Sequence, residues 1–158
     1  MSSAALVPAA VAPGEGQTVR VITDLVTFKA LAADTGGAYS LFETVTQPGQ
    51  GTPPHRQSRE EEAFYIIEGR YSFLIDDRTV ELERGGYAFV PRNTVHAFTN
   101  VGDTPARMLI LVTPGGIHEE FFKELGEPVD APVAGPPDVA RIVAVAAKHS
   151  MEILPPSA

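Results

Sequence analysis

From Val19 to Val112 the apolar residues alternate with polar ones or cluster in short runs, and a helical period is scarce. Runs rich in β-branched and aromatic residues lie at Val19–Ile22, Tyr39–Thr46, Glu62–Ile67, Tyr71–Ile75, Thr79–Leu82, Tyr87–Val90, Thr94–Thr99 and Arg107–Val112, separated by Gly, Pro, Asn and Asp. Short strands joined by turns have this pattern, and about eight at this spacing predict a sandwich, jelly roll or barrel. Tyr71, Phe73 and Ile75 alternate with Ser72 and Leu74, and Asp76-Asp77-Arg78 then leads into Val80 and Leu82 as a hairpin. Met108–Val112 is apolar without interruption, which predicts a strand buried on both faces. After Pro114 the period changes. Ile117, Phe121, Phe122 and Leu125 share one helical face, and Gly126 ends the helix. Pro128, Pro132, Pro136 and Pro137 form a linker to a second helix, which starts at Asp138 with Val139, Ile142, Val143 and Ala146 on one stripe and Lys148 in its last turn. The expected organisation is a tail over 1–16, a β-domain over 17–114 and a helical C-terminal appendage over 115–158 packed on it.

Composition narrows the classes. Hydrophobic residues make up 44% of the chain, enough for a packed core. The net charge of −8 repels phosphate, so neither nucleic acid nor an anionic membrane surface is an expected partner. There is no cysteine, hence no disulfide, thiolate ligand or cysteine nucleophile. No apolar run is long enough to span a bilayer. The first thirteen residues are apolar but have no basic residue before Arg20 and are broken by Pro8. They read as a flexible tail rather than a secretion signal, and with the lack of cysteine this predicts a cytoplasmic protein.

The chemistry concentrates in two segments. In Gly49–Gly69, His55 and Gln57 stand two apart and share one side of an extended chain, and Glu62 enters the next strand after a charged turn. In Gly85–Asn100, His96 sits within another strand. Two imidazoles and one carboxylate match the ligand types of a two-histidine, one-carboxylate site for a first-row metal. The competing reading is two satisfied core or turn histidines. Glu60 and Glu61 are expected in a solvated turn, and His118 is expected at the surface or capping a helix. His149 reads as a helix-end charge partner. Arg56 and Arg59 read as solvated, and Phe121 and Phe122 as packing a helix onto the β-domain.

The spacing Gly49, His55, Gln57, Glu62, Gly69, followed by Gly85, Pro91, Asn93, His96, Asn100, resembles the two motifs of the cupin superfamily. PPHRQ…EEEAFYIIEG and the ending AAKHSMEILPP are similar to the quercetinase-like single-domain group. The resemblance implies an all-β, double-stranded β-helix with two short C-terminal helices. It also implies one divalent transition metal (Fe, Ni, Mn or Zn) held by His55, Gln57, Glu62 and His96, with Glu62 and His96 as the catalytic pair and Glu62 accepting a substrate proton. Two positions depart from the motifs. Asn93 replaces a glycine at a turn where Asn tolerates positive φ. Gln57 replaces the second histidine of the first motif, so it could ligate through oxygen, stand back and leave a position open, or mark a site that has lost its metal. With the ligands pointing inward, Phe64, Ile66, Thr94 and Phe98 share their strand faces and are expected to line the interior; Tyr39, Leu41 and Glu43 are further pocket candidates. An apolar pocket suits a flat aromatic or polyketide-like molecule. The leading expectation is an oxygenase acting on a phenol or enol. The alternatives are a non-oxidative cyclase, isomerase or lyase, and a metal-free binding protein. The resemblance also implies a homodimer.

Overall fold

A computed structural model describes residues 5–155; residues 1–4 of the expected tail and 156–158 of the C-terminal segment lie outside it. The strands are β1 (Thr18–Val21), β2 (Asp24–Ala30), β3 (Ser40–Thr46), β4 (His55–Gln57), β5 (Glu61–Glu68), β6 (Arg70–Ile75), β7 (Arg78–Glu83), β8 (Tyr87–Val90), β9 (His96–Asn100), β10 (Ala106–Thr113), β11 (Glu127–Pro128) and β12 (Met151–Ile153). One helical turn, α1 (Ala32–Thr35), and two longer helices, α2 (Ile117–Leu125) and α3 (Val139–Lys148), complete the chain. Two antiparallel sheets face each other, in the orders β11-β1-β2-β3-β10-β5-β8 and β12-β4-β9-β6-β7. This is the double-stranded β-helix that the resemblance implies, and it lies within the sandwich, jelly-roll or barrel class that the strand spacing predicts.

Alternation builds the core. Phe42, Phe64, Ile66, Met108 and Val112 point inward from the larger sheet, and Tyr71, Phe73 and Phe98 meet them from the smaller one. The sheets are joined by aromatic pairs, among them Phe64–Phe73 with ring centroids 5.2 Å apart. Gly69 makes the turn between β5 and β6 possible. Its φ is +81°, and a Cβ there would lie 2.6 Å from the Cβ of Ala106.

Several expectations needed correction. β10 is buried on one face only, because α2 packs against β1, and α3 against β12 and α2, leaving Leu109 and Leu111 half-covered. On β3 the inward residues are Ser40, Phe42, Thr44 and Thr46, so Leu41 and Glu43 face outward. On α3 the buried residues are Val145 and Ala146, with Ile142 packed against the core, whereas Val139 and Val143 are exposed. The C-terminal segment supplies strands as well as helices: β11 pairs with β1, and β12 pairs with β4.

Candidate metal centre

Three strands from both sheets bring the motif residues together. β4 and β9 place His55 directly opposite His96, with ring centroids 4.2 Å apart. Glu62, near the start of β5 in the other sheet, reaches across so that its Oε2 lies 2.9 Å from His96 Nε2. Asn93 adopts a φ of 65°, as its position requires, and its N–H donates to the Gln57 carbonyl at 2.7 Å, fixing the turn before β9 against β4.

The three side chains offer ligand atoms within 4.8 Å of one another. Each imidazole turns Nδ1 toward a backbone carbonyl: His55 to Pro53 and His96 to Thr94, both at 2.9 Å. Such bonds fix the tautomer and leave Nε2 as the ligating nitrogen, as in metal-binding histidines generally. Burial, then the neighbouring His96 charge, pushes His55 down to about 4, so it is neutral at neutral pH with a lone pair available. Burial alone would raise Glu62, but the hydrogen bond from His96 and the surrounding imidazoles outweigh it and hold the carboxyl at about 2. Burial opposes a charge on His96 in turn, yet the bond to Glu62 raises it. A neutral imidazole, an ionised carboxylate and a second imidazole whose proton a cation would displace are a donor set that fits a divalent first-row metal.

Gln57 shares the inward side with His55, but its amide Nε2 lies 3.0 Å from His118 Nδ1. Through that nitrogen Gln57 joins a second buried cluster beside the three metal-ligand candidates. There, Glu60 lies 3.4 Å from His118 Nδ1 and accepts the His118 backbone N–H at 3.1 Å. Both expectations for these residues are corrected. Glu60 is 2% exposed rather than in a solvated turn, and His118 is 5% exposed rather than at the surface. The sequence held a signal for His118: positions 118, 121, 122 and 125 follow the i, i+3, i+4, i+7 spacing of one buried helix face. His149 does accept a charge partner, with Nε2 2.6 Å from Glu124 Oε2.

A cavity of about 80 Å³ opens beside this centre. His55, Glu62 and His118 line one part, with Phe121 and Phe122 of α2; Ile142, Ala146, Met151 and Ile153 of the C-terminal segment close over it. Phe98 lies on its wall. Phe64 and Ile66 are buried in the core and do not line it, although the Phe64 ring stands 6.2 Å from that of His96. Tyr39 is not among the residues that line this cavity: it precedes β3 and is 36% exposed, because the inward parity begins with Ser40. Asp24 and Thr44, which the sequence reading did not single out, do line the cavity.

The cupin-domain family model matches residues 42–112, spanning both motifs. The chain belongs to the cupin family. It is 32% identical over 85 residues to MJ1618 of Methanocaldococcus jannaschii, covering 54% of this chain and 68% of that one. It is 27% identical over 124 residues to quercetin 2,3-dioxygenase of Bacillus subtilis, a match covering 78% of this chain but 36% of the enzyme. Tetracenomycin polyketide synthase protein TcmJ of Streptomyces glaucescens is 33% identical over 92 residues, covering 58% of this chain and 62% of that protein. In fold, KdgF from Halomonas sp. superimposes with a TM-score of 0.63 at 14% identity, over 70% of this chain and 96% of its own.

Proposed function

We propose that this protein is a metal-dependent cupin oxygenase acting on a phenolic or enolic small molecule of the flavonoid or polyketide kind. The observation that carries this reading is the convergence of His55, Glu62 and His96 beside a cavity otherwise walled mainly by apolar side chains. Two relatives whose names carry such chemistry, the quercetin dioxygenase and the tetracenomycin polyketide synthase protein, support it. His55, Glu62 and His96 would hold the metal. Bound there, a divalent ion would supply a Lewis-acidic centre for two adjacent substrate oxygens and, if redox-active, a route for dioxygen. The protein's own part is to exclude water with Phe98, Phe121 and Phe122 and to present an ionised Glu62 as hydrogen-bond acceptor for the substrate's hydroxyl, whose proton it would take once a bound cation has acidified that hydroxyl. A multi-ring ligand occupies a pocket of roughly 300 Å³ or more, so α3 and β12 must shift to admit it.

The test is metal content by plasma mass spectrometry, on protein purified without added metal and after growth with Fe, Ni, Mn or Zn, followed by oxygen uptake with quercetin. Near one metal per chain and oxygen consumption are expected; no metal under any condition overturns the reading. A non-oxidative cyclase or isomerase is the second reading, favoured by the higher identity to the polyketide synthase protein and by the glutamine at position 57. It predicts metal, or the His96–Glu62 pair alone, with substrate turnover and no oxygen uptake.

A further inference from the structure

We propose that Asp24 and Thr44 form a second polar anchor at the far end of the cavity, binding an oxygen at the distal end of an elongated, otherwise apolar ligand. The ligand's other end lies at His55, Glu62 and His96, and to that extent the inference rests on the function proposed above.

Both residues line the cavity, and both are buried, Asp24 at 8% and Thr44 at 1% exposure. Among the described residues, each has a polar atom without a hydrogen-bond partner in good geometry: Oδ1 of Asp24 and Oγ1 of Thr44, the latter beside the Tyr71 hydroxyl, which bonds Thr46. Leaving such a group buried and unpaired costs about 1–3 kcal/mol, so two at one site point to a partner that the described residues do not provide.

Strand register places this pair away from the metal centre. Thr44 lies opposite Met108, and Met108 opposite Ile66; Glu62 lies opposite Val112. Four residues therefore separate the two levels along β5, about 13 Å at ~3.3 Å per residue. Val26, Ile110 and Phe98 line the cavity with them and offer no hydrogen bonds from their side chains. A ligand spanning this length is apolar in its middle and polar at both ends.

A chain of hydroxyls sets the polarity of the anchor. Tyr71 donates to Thr46 at 3.2 Å, and Thr46 donates to Asp24 Oδ2 at 3.0 Å. Oδ2 is thereby an acceptor, so in a neutral Asp24 carboxyl the proton sits on Oδ1, the unpartnered oxygen. Burial, only partly offset by the Thr46 bond, pushes Asp24 up to about 7, which makes that neutral form accessible. The anchor therefore offers a donor from Asp24 and a hydroxyl from Thr44, which suits a phenol or ketone oxygen and not a carboxylate-bearing end.

The experiment compares two flavonols on metal-loaded protein by calorimetric titration: quercetin, with hydroxyls on its outer ring, and galangin, which has the same chelating core without them. In wild type, quercetin is expected to bind tighter. Thr44→Val is expected to weaken quercetin about tenfold, leave galangin unchanged and leave the Tm unchanged or higher, since a partnerless hydroxyl is replaced by a methyl group. Asp24→Ala is expected to act in the same selective way. Equal affinity of Thr44→Val and wild type for quercetin overturns the anchor alone. A Tm several degrees lower with both flavonols weakened also overturns it, by showing that the two atoms are bridged by structural water. Binding of neither flavonol by wild type overturns the proposed function, and the anchor with it.

Discussion

Replacing Asp24 by Asn removes one titrating group while keeping its shape, and burial predicts how stability should respond to pH. The carboxyl moves from its ordinary 3.8 to about 7 in the folded protein. Below about 4 it is protonated in both folded and unfolded chains and contributes no pH dependence. Between about 4 and 7 the folded state holds a proton that the unfolded state releases, so wild-type stability falls as pH rises. Above about 7 both states are ionised and the penalty is constant. Three units at 1.36 kcal/mol each give about 4 kcal/mol, a ceiling that relaxation of the site lowers toward about 2 kcal/mol. The assay is urea unfolding of wild type and Asp24→Asn between pH 4.5 and 8.5, read as the difference between the two proteins. Groups common to both cancel, and any fixed cost of the amide shifts the curve without changing its slope. The difference is expected to move in favour of the variant up to about pH 7 and then level off. A difference that stays flat across that range would refute the argument, because it would mean that Asp24 ionises as an exposed aspartate does.

His96→Ala leaves Glu62 buried without its partner, and should cost about 3 kcal/mol near neutral pH, with most of the loss recovered in the His96→Ala, Glu62→Gln double variant; simple additivity of the two in urea unfolding would show that the pair is not coupled. Because Glu62 drops from its ordinary 4.5 to about 2, the stability it contributes is complete above about 4.5 and is lost as pH falls toward 2, so Glu62→Gln should flatten the acid limb of the unfolding curve. Gln57→His places an imidazole beside His55 and should tighten Ni or Zn binding about tenfold in chelator competition; unchanged affinity would show that position 57 stays committed to His118. Gly69→Ala combines a positive φ with a backbone clash at Ala106 and should lower stability by about 2 kcal/mol or more, and Ala106→Gly should restore only part of it. Arg56 and Glu152 are exposed cross-strand partners between β4 and β12, at a spacing that suits a disulfide, and the chain has no other cysteine. Oxidised Arg56→Cys, Glu152→Cys protein should keep its metal but lose uptake of quercetin until reduced; undiminished uptake would show that β12 need not move.

What was legible in the sequence depended on whether the relevant contact was local. The alternation of Tyr71, Phe73 and Ile75 specifies a strand by itself, and the fixed spacings around His55, Glu62 and His96 carry a site because each spacing sets which face of its strand a residue occupies. β4 and β12 are only three residues long, too short for alternation to distinguish them from loop, and each exists because the other lies beside it. Glu60 illustrates the limit more sharply. In a run of three glutamates its neighbours say turn, and only the backbone N–H and imidazole of His118, 58 residues away, make its burial tolerable. Parity on β3 was undecidable from Tyr39, Leu41 and Glu43 alone, since Phe42 and Leu41 are both apolar; pairing with β10 selects Phe42 and with it Thr44. A polar residue that faces inward without a partner in its own chain leaves no periodic trace, because alternation records what the core requires and not what a ligand requires. Gln57 is a different case: its bond to His118 was not legible because it depends on a helix that the motif does not contain.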